Sequence, residues 1–438
     1  MAGNTGKFAQ GAMKKETTYG TAVVTDRPLS MVSEDLNYVR DSVEDGRQMG
    51  KLFTSRDIKV GSKVEGGMNL TFHPQEAGHL FNAALGTNEA VVDPPTATVF
   101  VWYTGSENYA SLMCSSSTLY AEVGATSGTA SADTNFNTTG EIDLTNASFD
   151  TATELATAID GYTGWEAEYV GLSSADTGNI ADFSETALED GGVNYGAEFL
   201  FCSPSSTDSK RHHIEPAAAT SSLPSYTMAI DRTVGATADF SIAGYKFSTF
   251  ELAVDAKGIV TFNFSGVGKL EDATIDFPSL TLEDDDPFIA TNYRIWINRI
   301  ECTDVKNLSV SYNQNLDLGE VVGSEYIAEP MRQGGEITIS GTANLTTGAS
   351  GTSQHRSLFT GDTVAEIIIY CEHSDYSDTA NEVYNHFLIR IPNLKFTEYN
   401  FPITGPDRIT INIAGKAQAS GKYEHMEIDV VDKNTSTY

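Results

Sequence analysis

Cysteine is scarce: four residues in 438 make no disulfide framework in a chain this long. Cations are scarce as well, 27 Lys and Arg against 60 Asp and Glu, for a formal net charge of −33. Gripping a nucleic-acid backbone takes Lys and Arg to displace counterions, and an anionic membrane surface asks for the same charges. The balance argues against both partners. No run approaches the ~20 consecutive apolar residues of a membrane span. The opening stretch MAGNTGKFAQGAMKKETTYGTAV lacks the apolar region of a secretory signal. No heptad is sustained and aromatics are plentiful, which sets aside coiled coil, collagen and wholesale disorder. HExxH, the Walker A loop, CxxC and GxSxG are all missing. The expectation is no catalytic, cofactor or metal residue, and no enzyme.

What is present is alternation. MNLTF (68–72), IVTFNF (259–264), YRIWINRI (293–300), LSVSYN (308–313), EITISG (336–341), FLIRI (387–391) and ITINIAG (409–415) read as period-two strands, with EIIIYC (366–371) among them. Gly, Asn and Asp punctuate them. A short helix is expected at HPQEAGHLFNAALG (73–86), with Leu80, Phe81, Ala84 and Leu85 as its apolar stripe and Gly86 as its stop.

Charge divides the chain. Between Lys63 and Lys210 there is no Lys or Arg, and Val91–Thr220 holds 19 acidic residues against two basic ones. Such a shift marks a separate module. Strand-like runs (TVFVWY, STLYAEV, WEAEYVG, AEFLFC) and a helix over Thr151–Gly161, with Asp150 as N-cap and Leu155, Ala158 and Ile159 on one face, make it a small α+β domain.

The remainder repeats itself. EGGMNLTFHPQ (65–75) matches QGGEITISGTA (333–343), and KFSTFELAVDAKGIVTFNFSGVGK (246–269) matches LKFTEYNFPITGPDRITINIAGKA (394–417). A weaker pair is EDLNYVR (34–40) with KNLSVSY (306–312). Gly67 and Gly266 lie 199 positions apart, Gly335 and Gly415 only 80, and the difference is close to the length of the acidic module. Two copies of one β-unit, the first interrupted by an insertion, account for this spacing.

KETTYGTAV (15–23), SEDLNYVRDSVEDGRQMGK (33–51), GGMNLTFHPQEAGHLFNAALG (66–86), FSTFELAVDAKGIVTFNFSGVGK (247–269) and ITGPDRITINIAGKA (403–417), in this order, resemble the tail tube (major tail) proteins of long-tailed bacteriophages. The resemblance leaves out Val91–Thr220. It implies a mainly β fold: two tandem tail-tube-like β-sandwich or barrel units, each with a short flanking helix, plus the small inserted α+β module. The expected division is residues 1–90 and 223–283 for the first unit, 91–222 for the module and 284–438 for the second unit.

The resemblance also implies function. Stacked homo-oligomeric rings would form the tail tube, the conduit for DNA ejection, with tape measure, tail terminator and tail tip as other partners. Assembly would take place in the bacterial cytoplasm, and the product would be the virion tail. Most rings of the family hold six units, so three two-unit chains are favoured and six chains are the alternative. The family's hairpin loop at this place reaches the next ring, which makes Arg40, Arg47, Lys51, Arg56 and Lys59 inter-ring candidates against an acidic face. Polar strand positions (Asn69, Thr71, Thr261, Asn263, Thr338, Ser340, Thr410, Asn412) are lumen candidates, where an acidic balance lets DNA pass without specific binding. Their neighbours Met68, Leu70, Phe262, Phe264, Ile337, Ile339, Ile411 and Ile413 should pack the core. The module should project outward, and deleting Val91–Thr220 is expected to leave assembly intact.

Some features stay outside this reading. The run Glu283–Asp286 offers oxygen ligands for a hard cation but lacks an EF-hand's glycine and spacing, and a solvated turn is the other reading. His212 and His213 read as exposed in a polar loop, and the four Cys as small buried apolar residues. An extracellular carbohydrate- or cell-binding β-protein, stacking sugars on Trp102, Tyr103 and Trp165, is the alternative function.

Overall fold

The computed structural model describes residues 9–44, 57–86, 88–191, 193–217, 223–232, 240–271, 275, 285–322, 324–345, 356–400, 402, 409–418 and 425–438. The protein is mainly β, as the alternation predicts. Its principal elements begin with β1 (Gln10–Lys15), β2 (Asn37–Glu44), β3 (Asp57–Thr71), α1 (Pro74–Leu85) and β4 (Ala97–Tyr103). Next come α2 (Ala152–Asp160), β5 (Trp165–Gly171), β6 (Glu198–Cys202), β7 (Lys210–Glu215) and β8 (Tyr226–Asp231). β9 (Phe240–Asp255), β10 (Thr261–Gly268), β11 (Tyr293–Ile297), β12 (Val305–Asn313) and β13 (Glu336–Asn344) follow. α3 (Arg356–Thr360), β14 (Val364–Asp378), β15 (Val383–Asn400), β16 (Thr410–Ala417) and β17 (Glu427–Asp432) end the series. Among the described residues no helix is long and apolar enough to cross a membrane.

The chain folds as two compact units that do not follow its order. One gathers Met1–Asn88, Glu215–Thr291 and Lys306–Gly341; the other gathers Glu89–Ile214, Asn292–Val305 and Thr342–Tyr438.

In the first unit the antiparallel order is β1–β8–β9–β10–β3–β2. β12 adds to the second half of β9, pairing Asn313–Asn307 with Thr249–Asp255. Alternation along β10 buries Phe262 and Phe264 on one face, against Met68 and Leu70 of β3. Phe72, Phe81, Phe250 and Phe262 form one aromatic cluster with centroids 5.4–6.1 Å apart. Such rings supply most of the burial that holds a small sheet together. α1 covers this face through Leu80, Phe81, Ala84 and Leu85, the predicted stripe. Pro74 starts it where no intrahelical N–H is needed. Gly86 ends it at φ 114°, where a Cβ would stand 2.4 Å from that of Ala217.

In the second unit the order is β11–β14–β15–β16, with β17 beside the first half of β15 and β7 beside β17. The acidic segment belongs to this unit. It forms a three-stranded sheet, β5–β4–β6, and a second sheet built on Tyr109–Ser115, Thr118–Gly124 and Phe183–Asp190. Every residue of β4 is buried. Val99, Val101 and Tyr103 pack inward with Leu155 and Ile159 of α2. Phe100 and Trp102 pack the other way, against Trp296, Ile368, Tyr370 and Leu388. α2 starts on Thr151 rather than Asp150, the Thr151 hydroxyl accepting the Glu154 N–H, and ends at Gly161. Ala152 and Ala156, not Ala158, share its buried face.

The internal repeat extends to the irregularities. Between β8 and β9 the register slips from Tyr226–Tyr245 to Met228–Ile242; between β14 and β15 it slips from Ala365–Leu394 to Ile367–Ile391. On the other flank, Phe247–Gly266 gives way to Thr249–Ser265, and Phe396–Gly415 to Glu398–Ala414. The spacing of the two bulges along β9 equals that along β15. A bulge inserts one residue and bends the strand, so two long strands bulged alike are bent alike.

Candidate assembly surfaces

One face of the first unit's sheet is polar. Asn69 stands opposite Asn263, and Thr71 opposite Thr261. Glu251 lies beside Asn263 on the next strand, and Ser311 beside Glu251 on the one after. The hydroxyls of Thr249 and Ser265 meet at 2.6 Å, and Ser309 donates to Glu251. The side-chain oxygens of Asn69 and Asn263 are buried and accept no hydrogen bond. A hollow of about 480 Å³ opens on this face, lined by Glu251, Asn263, Ser311, Glu336 and Thr338 among others. Asn69, Thr71, Thr261, Asn263 and Thr338 thus belong to this first-unit surface; Ser340 is exposed further along β13. Thr410 and Asn412 are half-buried on β16, alternating with buried Ile411 and Ile413. All eight expected core partners are buried.

The cationic hairpin is β2–β3. Arg40 is exposed on β2; Arg47, Lys51 and Arg56 lie outside the described residues. Lys59 is engaged within its own chain. Its ammonium bonds Glu325 and, at 3.1 Å, the Tyr38 hydroxyl, while the Ser62 N–H donates to the Glu325 carbonyl at 2.9 Å. The Glu325 and Tyr38 bonds raise the Lys59 pKa. The acidic stretch 316–333 therefore meets part of the cationic hairpin inside one unit. Another of its carboxylates, Glu329, binds the fully buried Lys246 ammonium at 2.7 Å.

β12 is the leading arm of the second copy's hairpin: Leu316 pairs with Arg332, the Gln333 N–H donates to the Asn315 carbonyl, and Gly335 faces the Tyr312 ring. It corresponds to β2, in line with the sequence match of 34–40 to 306–312. β12 covers the outer edge of β9, where the Gln314 N–H reaches the Ser248 carbonyl at 2.8 Å. At the same place on β15, beyond the same two bulges, Thr397, Glu398 and Asn400 are exposed, whereas Ser248, Thr249 and Glu251 are half-buried. β2 pairs with β3 and with no other described strand.

The acidic module is fixed by ion pairs that sequence reasoning missed. Glu366 is 6 % exposed and Arg390 3 %. Glu366 accepts from Arg390 Nε at 2.8 Å, from Trp102 Nε1 at 2.9 Å and from the Ala197 N–H; Arg390 donates to the Ala197 carbonyl at 2.7 Å. Arg294 binds Glu168 at 2.7 Å, and Trp296 Nε1 donates to the same carboxylate. Burial pushes the Glu168 pKa up against the pull of Trp296 and Arg294. The signal was present: Glu366 and Arg390 are lone charges in the apolar runs EIIIYC and FLIRI. The expectation that Val91–Thr220 can be deleted freely does not survive this geometry, because the segment shares a core with β11, β14 and β15.

Other sequence readings also change. His212 is fully buried on β7, not exposed in a loop. Trp102, Tyr103 and Trp165 are at most 3 % exposed, so none presents a face to a sugar. Residues 283 and 284 of the carboxylate run lie outside the described residues; Asp285 accepts from Gln75 at 2.7 Å. No group of three metal-ligating side chains occurs among the described residues. All four cysteines are buried, and none forms a disulfide.

These features define a mainly β protein built on one repeated sheet pattern that presents polar and edge surfaces. The chain belongs to the phage tail tube protein family, whose family model matches residues 9–417. It is a structural component of the virion tail. No curated protein sequence matches the chain.

Proposed function

We propose that three chains close head to tail into a ring of six tube units, and that such rings stack into the tail tube through which DNA leaves the virion. One observation carries this reading: the edge of β9 is occupied by β12 of the same chain, while at the equivalent edge of β15 no described strand pairs and Thr397, Glu398 and Asn400 are exposed. The first copy's counterpart of β12 is β2, whose outer edge is likewise paired with no described strand. β2 of the next chain would add along Thr397–Asn400 as β12 adds to β9. An open edge is a liability that pairing removes, and a heterologous contact that closes by rotation makes a ring.

Stacking is assigned to the β2–β3 hairpin, with Arg40, Arg47, Lys51 and Arg56 facing acidic groups of the adjoining ring; Lys59 serves more to hold the hairpin on Glu325. The polar face bearing Asn69, Thr71, Thr261, Asn263, Thr338 and Glu251 is the reading for the lumen, with Ser340, Thr410 and Asn412 as its further members. Carboxylates and amides there repel phosphate or leave it unbound. Tape measure, terminator and tip proteins are the expected partners at the tube's ends, and the host cytoplasm is the place of assembly. Electron microscopy of the purified protein tests the reading. Rings with three chains support it; dispersed single chains at tube-forming concentration contradict it.

A further inference from the structure

We infer that residues 433–438 form a strap fastened to β7 by a doubly protonated His212, and that rising pH unfastens it. His212 is fully buried. Its Nδ1 lies 2.7 Å from a Glu89 carboxylate oxygen, and its Nε2 lies 2.9 Å from the Asn434 carbonyl oxygen. Both partners only accept. A neutral imidazole donates from one nitrogen and offers a lone pair at the other, so this pairing calls for N–H on both. The strap closes over the ring: Tyr438 packs its phenol against the imidazole, centroids 4.3 Å apart. The Tyr438 N–H donates to Glu89 at 3.0 Å, and the Tyr438 hydroxyl donates to Asp432. Asp432 also accepts the Asn434 N–H at 2.8 Å, shaping the turn that leads into the strap.

The charges around the ring all favour its proton. Glu89, on the strand Asn88–Val92, and Asp432, on β17, face it; Asp432 Oδ1 stands 3.6 Å from Nε2. The neighbouring cations of β7, Arg211 included, have carboxylate partners of their own. Lys210 of β7 binds Asp93, and His213 binds Asp429. Burial works against the charged imidazole, but the Glu89 bond, Asp432 and the Asn434 carbonyl outweigh it and raise the His212 pKa. Burial also pushes Asp432 up to about 6. A histidine whose folded pKa is raised gives its full contribution below its unfolded value and loses it as pH climbs through the folded value. Protonation of Asp432 toward pH 6 removes one of the two carboxylates that favour the His212 proton, so the linkage to His212 is read above that pH.

Hydrogen exchange of the full chain, read by mass spectrometry and corrected for intrinsic rates, tests this. In the unmodified protein the opening constant of residues 433–438 should rise by up to tenfold per pH unit once His212 begins to lose its proton, as one-proton linkage requires. His212→Gln, which cannot donate from both ends, should open the strap at least tenfold at pH 7 and flatten the profile. His213→Gln, which loses the bond to Asp429 instead, should keep the slope. A pH-independent protection of 433–438 between pH 6 and 9.5 overturns the inference, as does a His212→Gln profile that follows the unmodified one. Should His212→Gln fail to fold, the unmodified protein's profile decides alone.

Discussion

Single residues hold the acidic module in place through buried charge. Glu366 and Arg390 satisfy each other and four further groups: Trp102 Nε1, the Ala197 N–H and carbonyl, and the Tyr195 carbonyl. Removing one member of a buried pair strands the other, which costs roughly 3–5 kcal/mol. Glu366→Ala should therefore lower unfolding stability by about that amount in urea melts, while Glu166→Ala, whose oxygen sits 3.8 Å from Arg299 at a half-exposed site, should change it by less than about 1 kcal/mol. His386 shows the opposite balance from His212. Burial depresses its pKa to about 4, so it stays neutral where an unfolded histidine would be charged. The sign follows: the unfolded chain binds the extra proton, and His386 weakens the fold as pH drops from about 6.5 toward 4. His386→Phe should reduce the acid sensitivity of urea unfolding in that window; an unchanged pH dependence would show that other groups set it. Lone charges inside apolar strands were visible in the sequence, but their partners, 24 positions apart across a hairpin, were not.

At the scale of elements, alternation made most strands legible, because one buried face imposes a period of two regardless of what covers it. It did not say what does the covering. TVFVWY read as a strand, yet β4 separates two cores, and only the structure shows that the second belongs with Trp296 and Tyr370. Deleting Val91–Thr220 should accordingly expose that aromatic face. The truncated chain is expected in the insoluble fraction, and soluble, ring-forming material would contradict the packing. The repeat was legible in Gly266 and Gly415, which mark matching bulges, but not the addition of β12 to β9, since local pattern carries no information about a distant strand's partner. The bulge residue Thr397 has no ladder partner on β16. Proline is tolerated at edges and bulges and removes the N–H an incoming strand needs. Thr397→Pro should leave the chain folded by circular dichroism and reduce ring yield at least tenfold by sedimentation. Normal ring yield would argue that this edge is not the joint.

At the scale of the whole molecule, composition argues against gripping nucleic acid or an anionic membrane, and the sequence repeat announces strands bulged alike. On the proposed reading, the net charge of −33 lets DNA cross the tube without sticking. The polar face of β3 and β10 was readable as alternating strand positions. The pairing of Lys59 with Glu325 was not, because the two lie 266 positions apart in the chain. Two copies in one chain carry their own junction as a template: β12 on β9 shows inside the molecule what β2 on β15 would do between molecules. The most direct measurement is an electron cryomicroscopy map of the assembled tube at a resolution that traces strands. The account predicts three chains per ring, with β2 of each chain running beside Thr397–Asn400 of its neighbour. A ring of six chains, or one in which Thr397–Asn400 faces solvent, would contradict it.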